Sequence, residues 1–247
     1  DNLGFSREVI HSALDQSLKR LQTDYVDVYQ LHWPERNVNF FGQRNYAHKD
    51  DEAWTDNFHE VIETLDGLVK DGRIRHYGVS NETSWGVMRQ LQESDKHGLT
   101  RCKTIQNPYS LLNRTFEINL AEVSMRENVG LLAYSPLAFG VLSGKYLGGR
   151  MPEKSRIKLF PNYSRYSNPQ ALQLTEKYKE MADRHGLSLT HLSLAFVNQR
   201  PFVTSNIIGA TTMEQLRENI SSIDIELSEE MLSEIDEIQN LQPNPAP

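Results

Sequence analysis

The chain has 247 residues, 38% hydrophobic and 24% charged, with a formal net charge of −7. That balance offers no basic footprint for nucleic acid, and its apolar runs fall well short of the roughly 18–20 residues a membrane helix needs. Lone Cys102 excludes a disulfide framework within the chain and fits a reducing, cytoplasmic compartment, so no weight falls on the Asn-x-Ser/Thr triplets at Asn81, Asn113, Asn162 and Asn219.

Ser6 is the expected N-cap of a first helix, whose Ile10, Ala13, Leu14, Leu18 and Leu21 recur at helical spacing and define one buried stripe. Tyr25–Leu31 reads as a strand, stopped by His32, Trp33 and Pro34. Glu35–Asp56 is polar with interspersed aromatics and longer than an ordinary βα connection, the kind of loop that shapes pockets. A second amphipathic helix carries Phe58, Val61, Ile62, Leu65, Leu68 and Val69 and closes at Asp71 and Gly72.

The alternation continues. Ile74–Val79 is a strand before Ser80 and Asn81; a helix with Trp85, Met88 and Leu91 stops at His97 and Gly98. Lys103–Gln106 is a strand before Asn107, Pro108 and Tyr109, followed by a helix with Phe116, Leu120 and Val123. The apolar run ending in Tyr134 is a buried strand that delivers a loop of small residues closed by Gly144 and Lys145. Small residues let the main chain approach a ligand, backbone N–H groups and Ser135 can receive phosphate oxygens, Lys145 adds a cation, and Tyr134 offers a flat face. The ATPase phosphate loop does not fit, since Gly140 and Gly144 are one residue too close and Tyr146 stands where Ser or Thr would bind magnesium. No GxGxxG occurs either.

Gly148–Pro169 is irregular and carries Arg150, Arg156 and Arg165, either a flap over an anion or a solvated loop. Helices over Pro169–His185 and Thr190–Asn198, a strand at Val203–Ile208, and helices over Thr212–Ser222 and Ser228–Asn240 complete the pattern, and Gln242–Pro247 is an irregular tail.

Strands that alternate with helices imply a parallel sheet, and the strand ends carry His32, Ser80 with Asn81, Gln106, Ser135, and Gly209 with Thr211. Polar residues gathered at C-terminal strand ends suit a (β/α)8 TIM barrel, with a doubly wound sheet as the competing fold. Five strands are found where a closed barrel has eight. At roughly 30 residues per unit, the shortfall is about 90 residues. The expectation is therefore one domain over 1–247 that holds roughly the last five βα units, with earlier strands before Asp1.

Five segments, DYVDVYQLHWP, GRIRHYGVSN, TIQNPYSLLNR, AYSPLAFGVLSGKY and IIGATTMEQLRENI, occur in an order that resembles the aldo-keto reductase family, nicotinamide-dependent (β/α)8 barrels, over essentially the whole chain. More distant relatives in that resemblance are the potassium-channel β subunits. The resemblance implies that His32 is the histidine of the reductase catalytic tetrad, and a neutral imidazole at a strand end suits an oxygen gaining charge. It implies that Ser80, Asn81 and Gln106 hydrogen-bond the nicotinamide carboxamide and that Tyr134 stacks on the nicotinamide ring. It places Ser135, Pro136, Leu137, Ala138, Phe139 and Gly140, together with Lys145, along the pyrophosphate, and Gly209, Thr211, Gln215, Glu218 and Asn219 at the adenosine end.

Thr211 with Glu214 has capping-box spacing, so a helix N-terminus there can face a 2′-phosphate. Gly209 and Gln215 stand where many relatives carry a Lys and an Arg, which leaves Lys145, Arg156 or Arg217 to supply the cation for NADP (NADPH). The family's Asp, Tyr acid and Lys precede the matching region, and no tyrosine here occupies the acid's place, so residues 1–247 alone are expected to be inactive on carbonyls. The implied partner is a small-molecule carbonyl substrate, with neither nucleic acid nor membrane. A cofactor-sensing regulatory subunit of channel-β type is the alternative. A metal hydrolase built on His32 and His76 lacks HExxH or any comparable spacing, and no metal is expected.

Overall fold

The structure is a computed structural model that describes residues 4–39 and 41–247. Residues 1–3 of the expected domain and Phe40 of the expected loop Glu35–Asp56 lie outside the described residues. In chain order the elements are α1 (Arg7–Leu21), β1 (Val26–Leu31), α2 (Phe58–Lys70), β2 (Ile74–Ser80), α3 (Ser84–His97), β3 (Thr104–Pro108), α4 (Leu120–Glu127), β4 (Gly130–Tyr134), α5 (Arg156–Leu159), α6 (Pro169–Arg184), α7 (Leu189–Asn198), β5 (Val203–Asn206), α8 (Met213–Ser221) and α9 (Glu229–Leu241). The strands follow the order β1-β2-β3-β4-β5 in a five-stranded sheet. By contacts the chain divides into two compact units, one of residues 1–39, 45–106 and 122–130 and the other of 40–44, 107–121 and 131–247.

In the first unit, Ser6 caps α1 by accepting a hydrogen bond from the Val9 N–H at 3.4 Å, and left-handed Gln22 ends it. Its buried ridge is Ile10, Leu14 and Leu18. Ala13 and Leu21, expected on that stripe, are exposed, because the ridge is a single i, i+4, i+8 row and neither residue lies in it. Helix α2 buries Phe58, Val61, Ile62, Leu65 and Leu68, as its periodicity predicts, while Val69, expected with them, is only half-buried. Thr83 caps α3 by accepting from the Gly86 N–H at 3.2 Å, and Gly98 at φ 64° closes it.

Strands β1 and β2 pair in parallel with Leu31 beside Val79, and β2 pairs with β3 with Ser80 beside Gln106. The register puts Gly78 against Thr104, where a Cβ would lie 2.1 Å from the threonine hydroxyl and 2.9 Å from its carbonyl oxygen. Only glycine fits between the strands there.

In the second unit β4 and β5 are parallel, with an irregularity between Leu131 and Leu132. The helix expected to carry Phe116 begins only at Leu120, and Phe116 lies in a tight turn over Thr115–Glu117. The Asn113 carboxamide oxygen accepts from the Thr115 N–H and hydroxyl, at 3.1 and 2.7 Å, and Arg114 holds Glu117 at 2.7–2.8 Å. These side-chain bonds compete with helix continuation. Asn168 caps α6, with Pro169 at its first position, and α7 is buried nearly all round.

The tail over 242–247 is irregular in backbone and yet fastened. The Ala246 N–H donates to the Leu112 carbonyl at 3.1 Å, the Arg114 N–H to the Asn244 carboxamide oxygen at 2.6 Å, and Arg165 to the Pro247 carbonyl at 2.6 Å. Prolines at 243, 245 and 247 restrict the backbone beforehand, so less entropy opposes docking. Among the described residues, no helix is long and apolar enough to cross a membrane.

Candidate active site

In the first unit the strand ends carry His32, Ser80, Asn81 and Gln106 on adjacent strands. His32 follows the last residue of β1, is exposed, and stacks on Trp33 with ring centroids 4.3 Å apart and 24° between planes. A histidine packed into the core would be buried; this imidazole stands at the surface, open to a partner. Its carbonyl accepts from the Asn81 side-chain amide at 2.9 Å, and that amide also reaches the Ser80 hydroxyl at 3.1 Å. The Ser80 hydroxyl donates to the Gln106 carbonyl at 2.7 Å, and the Asn81 N–H donates to the same oxygen at 3.1 Å. Asn81 takes φ 54°, a left-handed geometry that asparagine tolerates better than most side chains. These bonds tie β1, β2 and β3 together at their C-terminal ends and fix where the His32 side chain starts.

A cavity beside this edge is lined by Leu31, Trp33, Arg36, Trp54, Phe58 and Ser80, among others. Trp33 and Trp54 thus form part of an aromatic wall. Tyr109, the residue after β3, is fully buried in the second unit, where its ring packs on Phe196 and Phe202 and its hydroxyl donates to Glu117.

The composition did not reveal Arg36 and Glu82. Arg36 meets Glu82 through two guanidinium nitrogens, at 3.0 and 2.5 Å, and also reaches the Thr83 hydroxyl at 3.1 Å. Both side chains are buried, at 9% and 4% exposure, with the guanidinium 4.8 Å over the Trp85 ring. No local spacing signals a pair so far apart in sequence; only the fold joins them.

In the second unit the chain leaves β4 at Tyr134 and enters a run with an unusual backbone. Ser135, Ala138, Phe139 and Gly140 have φ of 57°, 48°, 57° and 86°, and Gly144 has 75°. Left-handed non-glycine residues each cost of order 1–3 kcal/mol, and a cluster of them persists only where the surroundings impose it. Successive N–H groups in such conformations form concavities suited to anions. Pro136 and Ala138 are buried and Leu137 half-buried, which anchors the loop from beneath.

Lys145 curls back over Gly140, where an added Cβ would stand 2.5 Å from Nζ, and its ammonium lies 5.3 Å from the Tyr146 ring centroid. Arg156 is exposed and spans the Phe139 ring at 4.1 Å. Burial pushes the Tyr134 phenol up to about 12, against the opposing Arg165 guanidinium, so this ring is a neutral platform rather than an acid. Gly140→Ala is expected to cost about 1–2 kcal/mol through φ alone and to lower the melting temperature by roughly 2–8 °C. An unchanged melting curve would mean that the loop relaxes out of this conformation.

Residues 209–219 form the other cluster in this unit. The helix cap is Thr212, one residue after the expected Thr211, and its hydroxyl accepts from the Gln215 N–H at 3.3 Å. The Gln215 carboxamide oxygen accepts from the Thr211 N–H and hydroxyl at 2.9 and 3.0 Å. Gln215 thus reaches back to the residue before the cap, Thr211, which Glu214 was expected to pair with. The Asn219 amide is buried and donates to the Gly209 carbonyl at 3.1 Å, which fixes the entry turn. Glu218 accepts from the Ser188 hydroxyl at 2.6 Å, and Arg217 is exposed.

Residues 2–240 match a model of the aldo/keto reductase family. The chain is 52% identical over 246 residues to protein tas of Escherichia coli strain K12, covering 98% of this chain and 69% of that one. It is 31% identical to L-glyceraldehyde 3-phosphate reductase of Escherichia coli strain K12, over 95% of this chain and 64% of that one. It is 29% identical to a putative voltage-gated potassium channel subunit beta of Schizosaccharomyces pombe, over 97% and 67%.

Proposed function

The chain belongs to the aldo/keto reductase family, and from that premise we propose that it is an NADPH-dependent oxidoreductase that reduces aldehydes or ketones to alcohols. The observation that carries the reading is the set of left-handed residues Ser135, Ala138, Phe139 and Gly140 just after Tyr134, with Lys145 folded over Gly140. It combines an aromatic platform, a cradle of main-chain amides and a cation within one short segment. Those residues fit a dinucleotide: a side chain at Gly140 would fill the space under Lys145.

In this reading Ser80, Asn81 and Gln106 hold the carboxamide, Tyr134 supports the nicotinamide ring, and Ser135, Pro136, Leu137, Ala138, Phe139 and Gly140 with Lys145 and Arg156 serve the phosphates. Gly209, Thr211, Gln215, Glu218 and Asn219 serve the adenosine end. The bound cofactor supplies the hydride that the carbonyl carbon accepts. His32 donates a hydrogen bond to the carbonyl oxygen as negative charge builds there, beside the proton-donating tyrosine of the family's catalytic pattern. The five strands are then part of a (β/α)8 barrel, and Trp33 and Trp54 help enclose the substrate. Buried Cys102, its thiol pushed up to about 12 by desolvation, takes no part and suits a reducing cytoplasm.

The test is titration of the intact protein with NADPH and with NADH, followed by aldehyde-dependent loss of reduced-nicotinamide absorbance. Saturable NADPH binding with turnover on at least one aldehyde is expected, with NADH the weaker ligand. Failure to bind either nucleotide overturns the reading. The similarity to a channel subunit beta supports a second reading, a cofactor-sensing regulatory subunit. Tight NADPH binding without turnover on any aldehyde would favour it.

A further inference from the structure

Outside the strand ends, His59 on α2 and Glu93 and His97 on α3 converge on one point in the first unit. Their potential ligand atoms all lie within 4.8 Å of one another, and this is the metal-competent group among the described residues. We propose that His59, Glu93 and His97 form a binding site for a divalent late first-row transition metal ion, unrelated to carbonyl reduction.

The geometry is close to what such an ion requires. His59 Nδ1 stands 3.2 Å from Glu93 Oε1 and His97 Nε2 stands 2.9 Å from the same oxygen. Tetrahedral ligands about 2.0–2.1 Å from zinc are roughly 3.3 Å apart, so the two histidine–carboxylate separations need to change by only a few tenths of an ångström, while the imidazoles must rotate toward each other to bring the whole set, now within 4.8 Å, onto one ion. The two imidazole rings lie 4.3 Å apart at 51°, so both can turn a nitrogen to a common centre. Glu93 and His97 are one turn apart on α3, and helical side chains lean toward the N-terminus, which carries His97 back over Glu93.

The carboxylate is already oriented. Its other oxygen accepts from Arg89 at 2.5 Å, and Arg89 is held in turn by Asp56 at 3.0 Å, the kind of outer support that metal-binding carboxylates receive. The Asp56 charge also offsets the repulsion that Arg89 would exert on a cation. Glu93 is buried at 6% exposure while His59 and His97 are 51% and 36% exposed, which leaves an approach from solvent and room for water as a fourth ligand. Two imidazoles and one carboxylate favour zinc, copper or nickel over calcium or magnesium.

The experiment is calorimetric titration of the intact, metal-stripped protein with zinc chloride, repeated with His59→Ala, His97→Ala and, as a control, His48→Ala. Both ligand positions are partly exposed, so the variants should fold, and circular dichroism checks that they do. One equivalent of zinc should bind saturably, at least about 10-fold more weakly in either ligand variant and unchanged in His48→Ala. Cobalt in place of zinc should give the visible absorption of a four-coordinate centre, lost in the double variant. Absence of saturable binding, or binding that survives unchanged in the double variant, overturns the site. Neither readout depends on nucleotide binding or carbonyl reduction.

Discussion

Glu82→Ala is expected to destabilise the protein by about 3–5 kcal/mol, because it strands the Arg36 guanidinium without its partner in a buried setting. The pair is bidentate, with both side chains below 10% exposure, and Arg36 lies between the rings of Trp85 and Phe58, at 4.8 and 5.7 Å. Water cannot readily replace the carboxylate there. At roughly 2–4 °C per kcal/mol for a chain of this size, the melting temperature should fall by about 6–20 °C. Arg36→Ala should cost a comparable amount, since the buried Glu82 carboxylate would lose both guanidinium bonds while its bonds from the Thr83 N–H, at 2.6 Å, and the Thr83 hydroxyl, at 3.3 Å, remain.

The double change Arg36→Met with Glu82→Leu separates the charge from the packing. Removing both charges together should recover much of the loss, since apolar replacement of a buried ion pair is often neutral. Chemical denaturation of the four proteins closes the cycle. A Glu82→Ala protein within about 1 kcal/mol of the parent would show that the pair is solvated enough to count as a surface contact.

His32→Ala is expected to reduce kcat/KM for carbonyl reduction by about 100-fold or more while NADPH affinity stays within roughly threefold. The physical basis is that the His32 carbonyl, not its ring, holds the strand ends together through Asn81 at 2.9 Å. Removing the imidazole leaves that bond in place and forfeits mainly the stack on Trp33. A 100-fold loss corresponds to about 2.7 kcal/mol of transition-state stabilisation, within reach of one hydrogen bond to a developing oxyanion. His32→Gln, which keeps a donor, should recover part of the rate. Retention of full turnover in His32→Ala would remove the histidine from the mechanism, and loss of NADPH binding would mark it as structural instead.

Local order was legible in the sequence wherever the signal was itself local. Hydrophobic periodicity located Ile10, Leu14 and Leu18 in α1 and the buried face of α2, and Ser6, Gly72 and Gly98 marked helix ends because capping needs only neighbouring residues. The five family segments, read in order, were enough to indicate the family that residues 2–240 match. What escaped were partnerships between distant residues, and competitions that only packing resolves. Arg36 with Glu82, His59 with Glu93, and the tail on Leu112 and Arg165 have no periodic signature, since each contact exists only once the intervening chain has folded. Tyr109 carried the same aromatic signal as Trp33, and its burial against Phe196 and Phe202 was decided by the tertiary structure. The left-handed backbone at Ser135, Ala138 and Phe139 was likewise decided there, because no non-glycine residue prefers that backbone and only surrounding contacts can hold it.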